Sequence, residues 1–261
     1  MRSGAGRTAI ITGVSRRGGI GAALARRMAT DGYRLLLTGW SAHDPDQPWG
    51  ADAAGGPYLR DELRREGSPA EYLAVDLADA DAPRQVLAAA GAAYGHIDVL
   101  IANHARSSRQ SLRELTAEEL DLSFAVNARA TLLLAKHFAK QHDGRTGGRL
   151  ILFTSGQYHG AMPAELPYIA SKAVVQQLTP ALAVELAPRQ ITVNCVNPGP
   201  NDTGYANGAL HRRVAEASPS GRWGRPEDTA RLVSWLCSDE ADWVTGQTIA
   251  SDGGWSARGS H

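Results

Sequence analysis

Residues Thr12–Gly21 read TGVSRRGGIG, and the fold turns on what flanks them. Before them lies RTAIITG (7–13), a short apolar run that reads as a buried strand. After them, GIGAALARRMATDG (19–32) carries its apolar residues at helical spacing. A glycine-rich turn between strand and helix lets the backbone approach a pyrophosphate. The helix N-terminus adds unpaired N–H groups and the positive end of its dipole. Gly13, Ser15, Gly19, Ile20 and Gly21 are therefore candidate cofactor-binding positions. The alternative is a plain glycine-rich strand–helix turn. Five residues, VSRRG, separate Gly13 from Gly19. The turn should thus bulge outward, carrying Arg16 and Arg17.

Working outward, YRLLLTG (33–39), PAEYLAVDL (69–77), HIDVLIAN (96–103), GRLILFTS (148–155), QITVNCVNP (190–198) and TGQTIASDGG (245–254) read as further strands. Helical patterns fall at roughly 57–67, 81–94, 112–143, 167–187, 205–217 and 226–238. Short Val/Ile/Leu-rich strands alternating with helices predict right-handed βαβ units and a parallel sheet covered on both faces. Gly39–Pro57 breaks this rhythm. It is rich in Gly, Pro and Asp, and it reads as a long loop at a strand's carboxyl end, where such sheets bind ligands. It is either a lid element or a tolerated insertion.

The 261 residues suit one large α/β domain. Basic and acidic side chains balance at 27 each, which gives no electrostatic case for nucleic acid or membrane. No apolar run approaches a membrane span. The first strand begins almost at once, leaving no room for a signal peptide. Cys195 and Cys237 lie in apolar surroundings at no metal-binding spacing, so two buried free thiols and a reducing, cytoplasmic setting are expected. No metal is predicted. Arg258–His261 look like a tag remnant.

A second constellation is YIASK (168–172). Tyr168 and Lys172 stand four apart in a helix opened by Pro167, hence on one face. A lysine ammonium beside a phenol favours the phenolate and lowers the tyrosine's pKa from about 10, making it a usable proton donor near neutrality. Such a pair alone is commonly surface decoration. Here it has company in a fixed order: TGVSRRGGIG, VDL (75–77), IANHA (101–105), VNARA with Asn127, FTSG with Ser155, YIASK, NPGPNDT (197–203), GRWGRPEDTA and TGQTIASDGG. This ordered set, spanning about residues 7–255, resembles the short-chain dehydrogenase/reductases of the ketoacyl-reductase-like kind. The resemblance implies a single-domain Rossmann fold over 1–257. Its doubly wound, seven-stranded parallel sheet would carry helices on both faces and a substrate lid at about 199–224.

The same resemblance assigns roles. Tyr168 is the general acid. Lys172 lowers its pKa and binds the nicotinamide ribose, and Ser155 hydrogen-bonds the substrate oxygen. Asn127 holds a water linking Lys172 to solvent. Asp76, with Leu77 beside it, meets the adenine amino group, and Asn103 lies near the adenine ribose. Pro198, Gly199 and Thr203 reach the nicotinamide. The chain departs from the family where many relatives have Asn-Asn-Ala-Gly: ANHA puts Ala102, His104 and Ala105 there, so that His104 either narrows the cleft or is a tolerated strand-end residue. The glycine loop is two residues longer than usual. Relatives are commonly tetrameric through the helices near 112–143 and 167–187, so a homotetramer is expected.

An NAD-preferring site usually ends its second strand in an acid, whereas an NADP-preferring one lacks it and has an arginine nearby. Here Trp40 and Ser41 follow that strand, and Asp44 comes only later, inside the irregular loop. NADP(H) is therefore expected, with Arg17 slightly favoured over Arg16 for the 2′-phosphate and Trp40 set against the adenine. Gln157, Glu165 and Tyr205 are candidate substrate contacts. The polar lid and the scarcity of phenylalanine favour a polar ketone, such as a sugar, a cyclitol or a carrier-bound 3-oxoacyl group. Arg106, Arg109, Arg129, Arg212 and Arg213 would serve an acidic carrier or form a solvated surface. Two other readings are a dinucleotide-sensing regulator without turnover and a non-redox relative such as a halohydrin dehalogenase. The intact Tyr168/Lys172 pair argues against both.

Overall fold

The computed structural model describes residues 4–47, 49–52, 54–204, 206 and 208–258. Seven strands form one sheet: β1 (Thr8–Ile11), β2 (Arg34–Gly39), β3 (Ala70–Ala74), β4 (Val99–Ala102), β5 (Gly148–Phe153), β6 (Ile191–Asn197) and β7 (Thr248–Ala250). They run parallel in the order β3-β2-β1-β4-β5-β6-β7. The order reverses between β1 and β4, so the crevice outside their carboxyl ends is where such a sheet takes a ligand. Gly13 and Asn103 sit at that crevice.

Helices cover both faces, as expected. One face carries α1 (Ile20–Thr30), α2 (Gly55–Arg65) and α8 (Pro226–Leu236), packed over Ile11, Leu35, Leu37 and Ile101. The other carries α3 (Ala82–Tyr94), α4 (Ala117–Ser123), α5 (Ala130–Gln141) and α6 (Leu166–Leu186), over Ile10, Leu36, Leu100 and Leu150. Successive strand residues point to opposite faces, and here both faces are apolar, as a doubly covered sheet requires. Each fully buried leucine or isoleucine contributes about 1.5–3 kcal/mol. A ten-residue helix, α7 (Gly208–Ala217), has only Val214 buried. Cys195 and Cys237 are buried free thiols.

Two elements depart from the sequence pattern. Helix α2 begins at Gly55, not 57, because its first turn packs against the glycine loop. A Cβ on Gly55 would overlap the Ser15 carbonyl oxygen, and one on Gly56 the Tyr72 ring. The single helix expected over 112–143 starts at Ala117, where Thr116 accepts a hydrogen bond from Glu119 N–H. It is then interrupted by a π turn, Phe124–Arg129.

Candidate active site

The glycine loop bulges as its length predicts. Gly13 takes φ +74°, and a Cβ there would overlap the His104 backbone and the Asn103 amide. Gly19 N–H bonds the Arg16 carbonyl, closing a turn whose exposed tip is Arg17 and Gly18. No side chain caps α1 at Gly19, and Ile20 and Gly21, which open its first turn, line the cavity, where a helix N-terminus favours an anion.

That cavity, about 320 Å³, is lined by Gly13, Ser15, Arg16, Gly19, Ile20, Gly21, Trp40, Asp76, Leu77, Asn103, Tyr168 and Thr203. The expected positions are thus largely brought together. Arg17, Lys172, Pro198 and Gly199 are outside its lining, and Gly199 lines the second chamber instead. Arg17 turns away to Asp52, which accepts from both its backbone N–H and its guanidinium Nε. Arg16 turns in. It donates to the Thr203 carbonyl at 2.7 Å and lies 4.8 Å from the centre of the Trp49 ring. Asn103 spends its amide on the Thr12 and Gly13 carbonyls, so it pins the glycine loop. Asp76 accepts from Ala78 N–H at the far wall.

Described residues between β2 and α2 line this cavity. His43, Asp44 and Trp49 all line it, with Trp40 half-exposed beside them. His43 Nε2 bonds the Ser107 carbonyl at 3.2 Å, and its Nδ1 accepts from Arg106 at 3.1 Å. Arg106 is fixed in turn by a two-pronged pair with Glu119, whose carboxyl it holds below the usual range. His43, Asp44 and Trp49 were missed from sequence. The loop's length left a lid element and a tolerated insertion equally open, and no periodicity said which residues turn inward.

Ser155 lies two residues past the end of β5, and Tyr168 lies in the first turn of α6, just after Leu166 and Pro167. The Ser155 hydroxyl is close enough to the phenol to draw its pKa down. Tyr168 faces the first cavity. Ser155 faces a wider chamber of about 1090 Å³, lined also by His159, Met162, Asn197, Gly199, Val214, Trp255 and Arg258. Gly199 takes φ +64°, and a Cβ there would overlap Asp252. Gln157 folds inward, accepting from Ser155 N–H and donating to Thr154 and Gln176, so it braces the Ser155 turn. Glu165 lines neither cavity. Burial raises its carboxyl, against the pull of Arg109. Tyr205 lies outside the described residues.

Lys172 is buried one helical turn beyond Tyr168 and donates to the Phe153 carbonyl at 3.0 Å. Burial brings it down to about 8. The lowering of the Tyr168 pKa expected from Lys172 is not what governs the phenol here. Burial holds it above its ordinary value, the neighbouring Ser155 hydroxyl draws it back, and Glu165 pushes it up. The ammonium is directed at a carbonyl, not at the phenol. Asn127 sits in the π turn as a brace. Its Oδ1 accepts from Arg106 N–H at 2.7 Å, and its Nδ2 donates to the Arg106 carbonyl and Ser171 Oγ. His104 is wholly interior. Its Nδ1 meets Thr12 Oγ1 at 2.7 Å and its Nε2 donates to the Val126 carbonyl, while burial drives it down to about 3. It is a neutral wall residue joining β1, β4 and the π turn.

Among the described residues no helix is long and apolar enough to cross a membrane. His96, His142 and Asp143 cluster at the opposite end of the sheet, but Asp143 is fully engaged by Arg145.

Residues 13–256 match the family model described as enoyl-(acyl carrier protein) reductase. An uncharacterized oxidoreductase of Bacillus subtilis, YjdA, is 38% identical over 94% of this chain and 95% of its own. Among solved structures, the promiscuous reductase LugOII, which catalyses keto-reduction at C1 during lugdunomycin biosynthesis, superposes with a TM-score of 0.87. It is 31% identical, with 99% of this chain and 100% of that one covered. A blue fluorescent protein from a metagenomic library, solved in complex with NADPH, gives 0.85 at 31% identity, covering 96% and 98%. With the parallel sheet, the glycine loop and the Ser155–Tyr168–Lys172 arrangement, these matches make the chain a member of the short-chain dehydrogenase/reductase family of oxidoreductases.

Proposed function

We propose that this oxidoreductase uses NADPH to reduce a polar ketone to a secondary alcohol, or runs the reverse reaction. The observation that carries the reading is the pairing of Ser155 with Tyr168 where the two cavities meet, one residue lining each and Ser155 acting on the phenol. A substrate carbonyl in the chamber can meet both hydroxyls while its carbon faces the first cavity. NADPH, when bound there, supplies the hydride. Ser155 donates a hydrogen bond to the carbonyl oxygen, where negative charge develops. Tyr168, whose raised pKa keeps its proton at neutral pH, passes that proton to the same oxygen. Lys172 remains cationic below about 8 and would hold the ribose hydroxyls of the nicotinamide half.

The cavity's features fit a dinucleotide: the uncapped α1 N-terminus, Arg16 turned inward and the adenosine-side wall of Asp76 and Trp40. Arg16, not Arg17, is the residue we assign to the 2′-phosphate. The NADPH complex of one solved neighbour and the keto-reduction of another support the same reading. Val184 on α6 and Phe124 at the π turn are exposed apolar groups on the helices expected to pair copies. A homotetramer would cover them, and light scattering of the purified chain would test that. The reaction is tested by following NADPH oxidation with a panel of polar ketones. Turnover with NADPH and a lower kcat/KM with NADH are expected, and preference for NADH overturns the cofactor assignment.

A further inference from the structure

The described part of the Gly39–Pro57 loop contains a side chain whose chemistry is incomplete. Asp44 is only 6% exposed, yet it lines the cofactor cavity. Its Oδ1 accepts from Trp49 Nε1 at 3.0 Å. Its Oδ2 is buried and has no hydrogen-bond partner. A buried carboxylate oxygen without a donor is costly, by about 1–3 kcal/mol or more for a charged group. A ligand hydroxyl placed there would remove that cost.

The neighbours narrow down which hydroxyl. The indole that binds Oδ1 also carries the Arg16 guanidinium on its ring face, 4.8 Å from the centroid. Asp44, Trp49 and Arg16 therefore form one assembly, and the carboxylate's charge is felt at Arg16. Asp76, on the β3 side of the same wall, is the acid placed for the base. Asp44 stands instead beside the group assigned to the 2′ substituent. The strap that carries it is pinned across the cavity by His43 to Ser107.

We propose that Asp44 reads the 2′ position of the adenosine ribose and opposes Arg16 there. This rests on the reading of the cavity as a nicotinamide-dinucleotide site. A free 2′-hydroxyl donates to Oδ2. A 2′-phosphate has no proton to give at neutral pH and meets the carboxylate's charge while gaining Arg16's. The acid that the end of β2 lacks is thus supplied from within the inserted loop. The NADPH preference of this chain is the difference between two opposed charges, so the enzyme keeps a usable affinity for NADH.

The test is calorimetric binding of NADPH and of NADH to the wild-type chain and to Asp44→Asn, which keeps an acceptor for Trp49 and removes the charge. The ratio of NADPH to NADH affinity is expected to rise at least about tenfold in the variant, with NADH weakening and the melting temperature unchanged. Arg16→Ala should move the ratio the other way. A ratio within about threefold of wild type, or a fall, overturns the proposal. If Asp44→Asn fails to fold, Asp44→Ser is read by the same ratio and the same limits. The wild-type ratio alone tests the NADPH assignment, while the change between variants tests Asp44, so either can fail without the other.

Discussion

The cavity in front of the glycine loop and the chamber behind Ser155 share a wall but treat their polar groups differently. In the first, Arg16, His43, Asn103, His104 and Arg106 are each fixed by named partners, within about 320 Å³. The second, about 1090 Å³, draws His159, Val214, Trp255 and Arg258 from three separate segments of chain. Tight, mutually fixed walls suit one ligand used in every turnover. Broad walls from loosely connected segments suit variation in what is reduced. The difference teaches where to expect large and small responses to mutation.

Tyr168→Phe acts at the junction and should be the most severe. A loss in kcat of about 10²–10⁴ is expected, with NADPH affinity nearly unchanged by calorimetry. An active variant would separate the two cavities from the chemistry assigned to their shared wall. Next comes His104→Ala in the wall of the tight cavity. It removes a partner from the Val126 carbonyl and the Thr12 hydroxyl and leaves a void, so urea unfolding should show a loss of about 3 kcal/mol. Its pH signature sharpens the test. The native His104, at about 3 against an ordinary 6.5, stays neutral while the unfolded chain takes up the proton. Its share of stability is intact above about 6.5 and is lost as pH falls toward 3, and the variant should lack that dependence.

Arg16→Ala should weaken NADPH about ten- to a hundredfold, the size of a lost charge-assisted hydrogen bond, whereas Arg17→Ala should change it less than about threefold. Equal effects from the two would blur the line between inward and outward halves of the glycine turn. Across the wall a small effect is also expected: His159→Ala should shift the ketone's KM by less than about threefold and leave cofactor affinity alone. A cofactor effect there would break the comparison outright.

The sheet and its helices were legible because periodicity registers burial, and both faces of this sheet are buried. Ser155, Tyr168 and Lys172 were legible because their spacing follows one strand end and one helical turn. What escaped were directions in irregular chain. Arg16 and Arg17 are adjacent and chemically alike. Only the position of Asp52 and the Thr203 carbonyl decides which of them faces the cavity. Gln157 reads as a substrate contact until its amide is seen bonding Thr154 and Gln176. The downward pull of Lys172 on Tyr168 was a local inference. Burial is a tertiary property, and it governs both groups.

The π turn at Phe124–Arg129 makes α4 and α5 a single rod with a phase slip. Each α-helical residue advances about 100° around the axis. Before the slip, Glu119 must face Arg106. After it, Leu134 and Phe138 must face the core against α3. One uninterrupted α-helix would have to reconcile both azimuths, and the extra residue absorbs the mismatch at Asn127. Deleting one residue within 124–129 would restore regular helix and swing one side of the slip by about 100° relative to the other. Function is stored here as an angle, which a change of length erases even when every side-chain identity is kept.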